Sequence, residues 1–91
     1  MNNILNEIKT SKPEKTIVEI SENLKLKVLE QLGKPRDLKK IVIHNVYGTR
    51  YRVNVWREIK ENMVIITDSF FFIVTNNGDI VFSSPKLIKK Y

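Results

Sequence analysis

Cysteine is absent from this 91-residue chain, and glycine and proline occur three times each. The missing cysteine excludes disulfides, thiolate catalysis and cysteine-containing zinc sites, and it points to a reducing, cytoplasmic setting. Each glycine (Gly33, Gly48, Gly78) falls where a helix cap or turn is expected, so none is left to build a phosphate-cradling loop. No apolar run exceeds five residues, against the roughly 20 needed to cross a bilayer. The start Met1-Asn2-Asn3 lacks the basic segment and long apolar core of a secretory signal. Neither a membrane partner nor export is therefore expected. A chain of this length makes one domain with one core. Residues 11–91 are read as that domain, and residues 1–10 as an N-terminal segment that is either flexible or a short helix.

What the chain has is positive charge, concentrated in one stretch. Residues 1–33 balance five lysines against five glutamates, and residues 61–91 balance three lysines against three acids. The whole net charge of +6 arises in residues 34–60, where eight basic residues face only Asp37 and Glu58. Such a field attracts polyanions or an acidic protein and speeds encounter; the plainer reading is a solubilising surface.

Ser11-Lys12-Pro13-Glu14 has the form of a capping box with proline in the first turn, and Ile17, Ile20, Leu24, Val28 and Leu32 then recur at helical spacing. Gly33 followed by Lys34-Pro35 supplies a left-handed cap and a stop. The pattern predicts one helix over 12–32. The β-branched run Thr16–Ile20 leaves a second option, a short strand followed by a helix that begins at Ser21.

After Pro35 the apolar period changes to two. Residues 40–47 and 50–59 read as strands joined at Gly48-Thr49, a type II′ hairpin turn. With Tyr47 opposite Arg50, this register puts Val42, His44, Val46, Tyr51, Val53 and Val55 on a core face. Ile41, Ile43, Asn45, Tyr47, Arg50, Arg52, Asn54 and Trp56 fall on the other. The apolar stretch 63–75 is too long for one regular strand and predicts a bulge or bend at Asp68-Ser69. Asn77-Gly78 predicts a type I′ turn joining 70–75 to 80–84, and Pro85 ends the ladder. The fold class that follows is α+β, one long N-terminal helix packed on a four-stranded antiparallel β-meander.

The run Phe70-Phe71-Phe72-Ile73-Val74 needs apolar cover on both sides, because successive side chains alternate across a sheet. The helix supplies one cover. Phe71, Ile73, Ile80 and Phe82 are expected on the opposite face as an interface for a second copy or another protein.

Catalytic and metal chemistry find no constellation in the sequence. His44 has no second ligand at helical or hairpin spacing, Asp68 stands alone among apolar residues, and Ser69 has no nucleophile elbow around it. No cofactor is expected. The set with most chemical content is Tyr47, Arg50, Arg52, Asn54 and Trp56 on the first hairpin, supported by Lys39 and Lys40. Cations engage phosphates, rings stack on bases and asparagine reads base edges, a combination suited to single-stranded or structured nucleic acid. Ordinary sheet-surface packing of Trp56 on its cross-strand neighbour is the rival reading.

The length, the helix before an antiparallel sheet and the strand arginines resemble small basic ribonuclease toxins of the RelE kind. This likeness is architectural and covers no matched motif, and it implies a phosphodiester-cleaving activity as a remote alternative. The leading expectation is a non-enzymatic nucleic-acid-binding module, with protein interaction or homodimerisation through the apolar second face as the alternative.

Overall fold

The structure, a computed structural model, describes residues 15–91. Helix α1 (Ile17–Leu32) is followed by strands β1 (Leu38–Tyr47), β2 (Arg50–Lys60), β3 (Met63–Val74) and β4 (Ile80–Ser84). The strands pair antiparallel in the order β1-β2-β3-β4, and α1 packs on one face of this meander. The α+β architecture is the one the hydrophobic periodicity calls for.

The helix begins later than its first capping signal. Thr16 is the N-cap: its Oγ1 accepts from the Glu19 N–H at 3.1 Å, and Glu19 Oε1 accepts from the Thr16 N–H at 2.8 Å. Lys15 and Thr16 are not helical, so the helix does not run unbroken from residue 12. Ser11, Pro13 and Glu14 lie outside the described residues, as do Ile4, Leu5 and Ile8. Thr16-x-x-Glu19 repeats the Ser11-x-x-Glu14 pattern five residues on, directly against the apolar stripe that gives a helix something to bury. Ile17–Ile20 are helical, which removes the strand option.

At its other end, Gly33 has φ 93° and ψ 157°, positive but extended rather than the left-handed helical cap expected. The carboxy-terminal segment explains this. The N–H groups of Lys90 and Tyr91 both donate to Leu32 O, at 2.8 and 2.9 Å, closing the helix end beside the local bond from Gly33 N–H to Leu29 O at 3.1 Å. A Cβ on Gly33 would stand 2.7 Å from Tyr91 O.

The core lies between helix and sheet. Ile20, Leu24, Val28 and Leu32 meet Tyr51, Val53 and Val55 from β2 and Phe70, Phe72 and Val74 from β3. Burying each large apolar side chain contributes about 1.5–3 kcal/mol before chain entropy is set against it.

Three bulges set which side chains reach the core. In the first hairpin Tyr47 does pair with Arg50, but Asn45 pairs with Tyr51, leaving Val46 as an extra residue in β1. Everything before Val46 is thereby turned over. Ile41 and Ile43 lie opposite Val55 and Val53 on the core face, while Val42 and His44 lie opposite Asn54 and Arg52 on the other. This corrects the expected placement of β1, whose regular register would have buried His44 in place of an isoleucine. Asn45 holds the bulge, its Nδ2 donating to Gly48 O at 3.0 Å and Arg50 O at 3.2 Å.

In β3 the irregularity falls at Thr67, between Ile66 opposite Trp56 and Asp68 opposite Val55. It sits one residue before the expected bend, and the strand continues through it. In β4 the irregularity is at Val81, so Phe82 pairs with Ile73 but Ile80 pairs with Val74 and packs against the core. Ile80 therefore leaves the second-face group proposed for it.

The last turn also differs from expectation. Gly78 is at φ 91° while Asn77 is not at positive φ, so the two-residue type I′ turn is replaced by a longer loop. Thr75 organises it: Gly78 N–H donates to Thr75 O at 2.9 Å, Thr75 N–H donates to Asp79 O at 2.8 Å, and Thr75 Oγ1 accepts from Asn77 and Asp79 N–H.

Candidate nucleic-acid interface

Alternation along β2 carries the site. Tyr51, Val53 and Val55 are buried beneath the helix, so Arg50, Arg52, Asn54 and Trp56 project from the face that α1 leaves open. Cross-strand pairing arranges them in rungs. Arg50 lies between Tyr47 and Ile73, Arg52 between His44 and Phe71, Asn54 between Val42 and Ser69, and Trp56 between Lys40 and Ile66. Same-face residues on a strand are about 6.8 Å apart, so the four rungs cover about 20 Å.

On three rungs a cation sits beside a ring. The Arg50 guanidinium is 4.9 Å from the centre of Tyr47, Lys40 Nζ is 5.2 Å from Trp56, and the Arg52 guanidinium is 5.9 Å from Phe71. These distances fall within the range of cation–π attraction. The Asn54 rung between them is polar. Arg52 Nη1 donates to Ser69 Oγ at 3.2 Å, and Ser69 Oγ donates to Asn54 Oδ1 at 2.7 Å, leaving the Asn54 amide nitrogen as a donor. Chemically, the face offers π-surfaces, fixed cations and an amide on one plane.

Of the residues singled out from the sequence, Lys40, Tyr47, Arg50, Arg52, Asn54 and Trp56 come together here. Lys39 is the extra residue of a bulge between Leu38 and Lys40, and its Nζ pairs with Glu58 Oε1 at 3.2 Å. The Asn62 N–H, and after it Lys39, holds the Glu58 carboxyl below its ordinary value. Phe71, Ile73 and Phe82 share the same open face, interleaved with Arg50 and Arg52 rather than forming a separate apolar patch. Sequence reasoning missed Val42 and His44 as members of the face. The available signal was that Ile41 and Ile43 are the more apolar pair.

Arg57, counted with the basic cluster, is on the helix side of the sheet and already engaged. Its Nε and Nη2 donate to Asp37 at 2.7 and 3.1 Å, and its Nη1 donates to Tyr91 Oη at 2.9 Å. Tyr91 Oη in turn donates to Asp68 Oδ2 at 2.6 Å, and Lys90 Nζ pairs with Asp68 Oδ1 at 2.7 Å. Burial pushes the Asp68 carboxyl upward, but the hydrogen bonds from Lys90, Tyr91 and Thr67 outweigh it and hold the group below its ordinary value. Asp68 raises Lys90 in return. This network fixes one end of the sheet rather than offering free charge.

Asp68 and Ser69 lie on opposite faces, and His44 stands opposite Arg52, so the three do not converge. Among the described residues no group of three or more histidines and carboxylates could hold a metal ion, and no helix is long and apolar enough to cross a membrane. Comparison with protein-family models, with curated proteins and with solved structures finds no match for this chain.

Proposed function

We propose that the open sheet face binds single-stranded nucleic acid as a non-enzymatic module. One observation carries this reading: three ring-and-cation pairs, Tyr47 with Arg50, Phe71 with Arg52 and Trp56 with Lys40, share one sheet face opposite the helix. Bases stack on the rings irrespective of sequence, while the cations take the phosphates. A flat sheet suits splayed single strands better than a duplex, whose bases are inaccessible to stacking. A cytoplasmic location goes with this reading and with the cysteine-free composition.

Trp56 is the only tryptophan, so its fluorescence reports on the proposed site directly. Titration with a single-stranded oligonucleotide should quench it, with an affinity that falls as salt rises. With about three to four phosphates neutralised, the slope of log K against log salt is about −2 to −3. No binding at micromolar concentrations and low salt overturns the proposal.

A second reading is a protein partner. Phe82, half exposed beside Ile73, supports it at the β4 end of the same face. An acidic protein would match the arginines, and it would be lost with Phe82→Ser while oligonucleotide binding persisted.

A further inference from the structure

Edge strands expose unpaired N–H and C=O groups, and folded proteins usually blunt them with charge, proline or bulges. Two of the edges here are blunted in that way. β1 carries Lys39 and Lys40 and is interrupted at Lys39 and Val46. β4 has five residues, an irregularity at Val81 and Pro85 directly after it.

The third edge is different. β4 pairs only with Phe71–Val74, so the earlier part of β3, joined to β2 on one side, has no strand on its other side among the described residues. Within it, Met63-Val64-Ile65-Ile66-Thr67 has no charge and no proline, and its one irregularity, at Thr67, falls at the end of the run. Met63, Val64, Ile65 and Ile66 are each 38–42% exposed, and Ile59 on the neighbouring strand is 44% exposed. Apolar side chains are thus exposed on both sides of a strand whose outer backbone is also unpaired.

We propose that a second copy of this chain covers this edge, pairing antiparallel with Met63–Thr67 in a register centred on Ile65. A two-fold axis perpendicular to the sheet keeps each face on its own side, which requires a residue to stand opposite itself. Centring on Ile65 sets Met63 opposite Thr67 and Val64 opposite Ile66, using the whole uncharged segment. Charge favours the same choice. A chain of net charge +6 repels its copy, yet this segment is neutral. Arg50 and Arg52 pair with Ile73 and Phe71, at the far end of β3. The two sheets become one eight-stranded sheet, with both open faces on the same side.

A ladder this short lies at the small end of specific interfaces, which run from about 1,200 Å², so a dissociation constant of roughly 100 µM is expected. Pairing through this edge is independent of nucleic-acid binding by the open face.

Sedimentation equilibrium of the full chain, from micromolar to millimolar concentration, should show the mass rising from 10.7 kDa toward twice that value. Ile65→Lys, which sets like charges face to face, should weaken association at least tenfold, while Phe82→Lys leaves it unchanged. Because the chain has no cysteine, Ile65→Cys should oxidise to a disulfide-linked dimer much faster than Val81→Cys on the β4 edge. A monomer mass throughout, association abolished by Phe82→Lys but not by Ile65→Lys, or equal cross-linking at the two cysteines would each overturn the proposal.

Discussion

Arg57 grips Asp37 with two parallel hydrogen bonds, Nε to Oδ1 at 2.7 Å and Nη2 to Oδ2 at 3.1 Å, tying the middle of β2 to the entry of β1. The planar fork of a guanidinium matches a carboxylate in a way that an ammonium cannot. It also leaves Nη1 for Tyr91, so one side chain joins the connection after α1, the second strand and the tail. Arg57→Lys should therefore lower Tm despite keeping the charge. Tyr91→Phe should lower it too, and the double variant should lose less than the two single losses together, because both act in one chain of bonds. Additive losses would show that the two contacts are independent.

Acid should loosen the same end of the sheet. Arg57 holds Asp37 below its ordinary value, and Lys90, Tyr91 and Thr67 hold Asp68 below its own against the upward push of burial. A carboxylate with a depressed folded value adds stability that is complete above its unfolded value of about 3.9 and is lost as pH falls through its folded value. Thermal melts should thus show Tm dropping between about pH 5 and pH 2. Asp68→Asn should be less stable at pH 7 and show a shallower drop. An unchanged acid profile in that variant would remove Asp68 from the account.

Gly33→Ala should destabilise the fold by more than about 1 kcal/mol, since the residue has positive φ and a Cβ would meet the Tyr91 backbone at 2.7 Å. Gly48 also has positive φ but open space around it, so Gly48→Ala serves as a control in which only the backbone term acts. Urea midpoints that fall equally in the two variants would show that the tail contact adds nothing.

Phe72 is fully buried and stacks 5.7 Å from Phe70. Truncation to Ala should cost about 3–5 kcal/mol, read from urea unfolding with an unchanged slope. Phe71→Ala, on the open face of the same strand, should cost much less stability and instead weaken oligonucleotide binding. The opposite ranking would mean that the two faces have been assigned the wrong way round.

Within the proposed site, Trp56→Ala should weaken oligonucleotide binding by about 1–3 kcal/mol, the range for one lost stacking platform. Arg52→Gln should instead reduce the salt slope by somewhat under one unit, the contribution of one phosphate contact on a single strand. Filter binding at several salt concentrations separates the two effects.

The helix, the four strands and the burial of Phe70, Phe72 and Val74 beneath the helix were legible because they rest on periodicity and on glycine at turns, whereas Phe71 and Ile73 stay on the open face. Bulges were harder to place. The apolar run at residues 63–75 announced one, although Thr67 rather than Asp68-Ser69 took it. The bulge at Val46 had no such sign, since its energy comes from distant packing of Ile41 and Ile43 under α1 and from the Asn45 amide. For the same reason His44 and Ile80 were assigned to the wrong faces, while Arg50, Arg52, Asn54 and Trp56 on the bulge-free start of β2 were placed correctly. The network from Asp37 to Tyr91 was unreadable because its members are separated by up to 54 positions in sequence and meet only after the tail has docked.

Val46 is surplus to the pairing it interrupts, since Asn45 already faces Tyr51 and Tyr47 already faces Arg50. A chain from which Val46 were deleted would keep Ile41 and Ile43 inward and His44 outward. Straightening the strand with Val46 retained would instead turn its upstream half inside out. The hairpin can thus shorten by one residue at this point with the inward and outward sets of β1 kept, and a related chain lacking that residue should present the same chemistry to solvent.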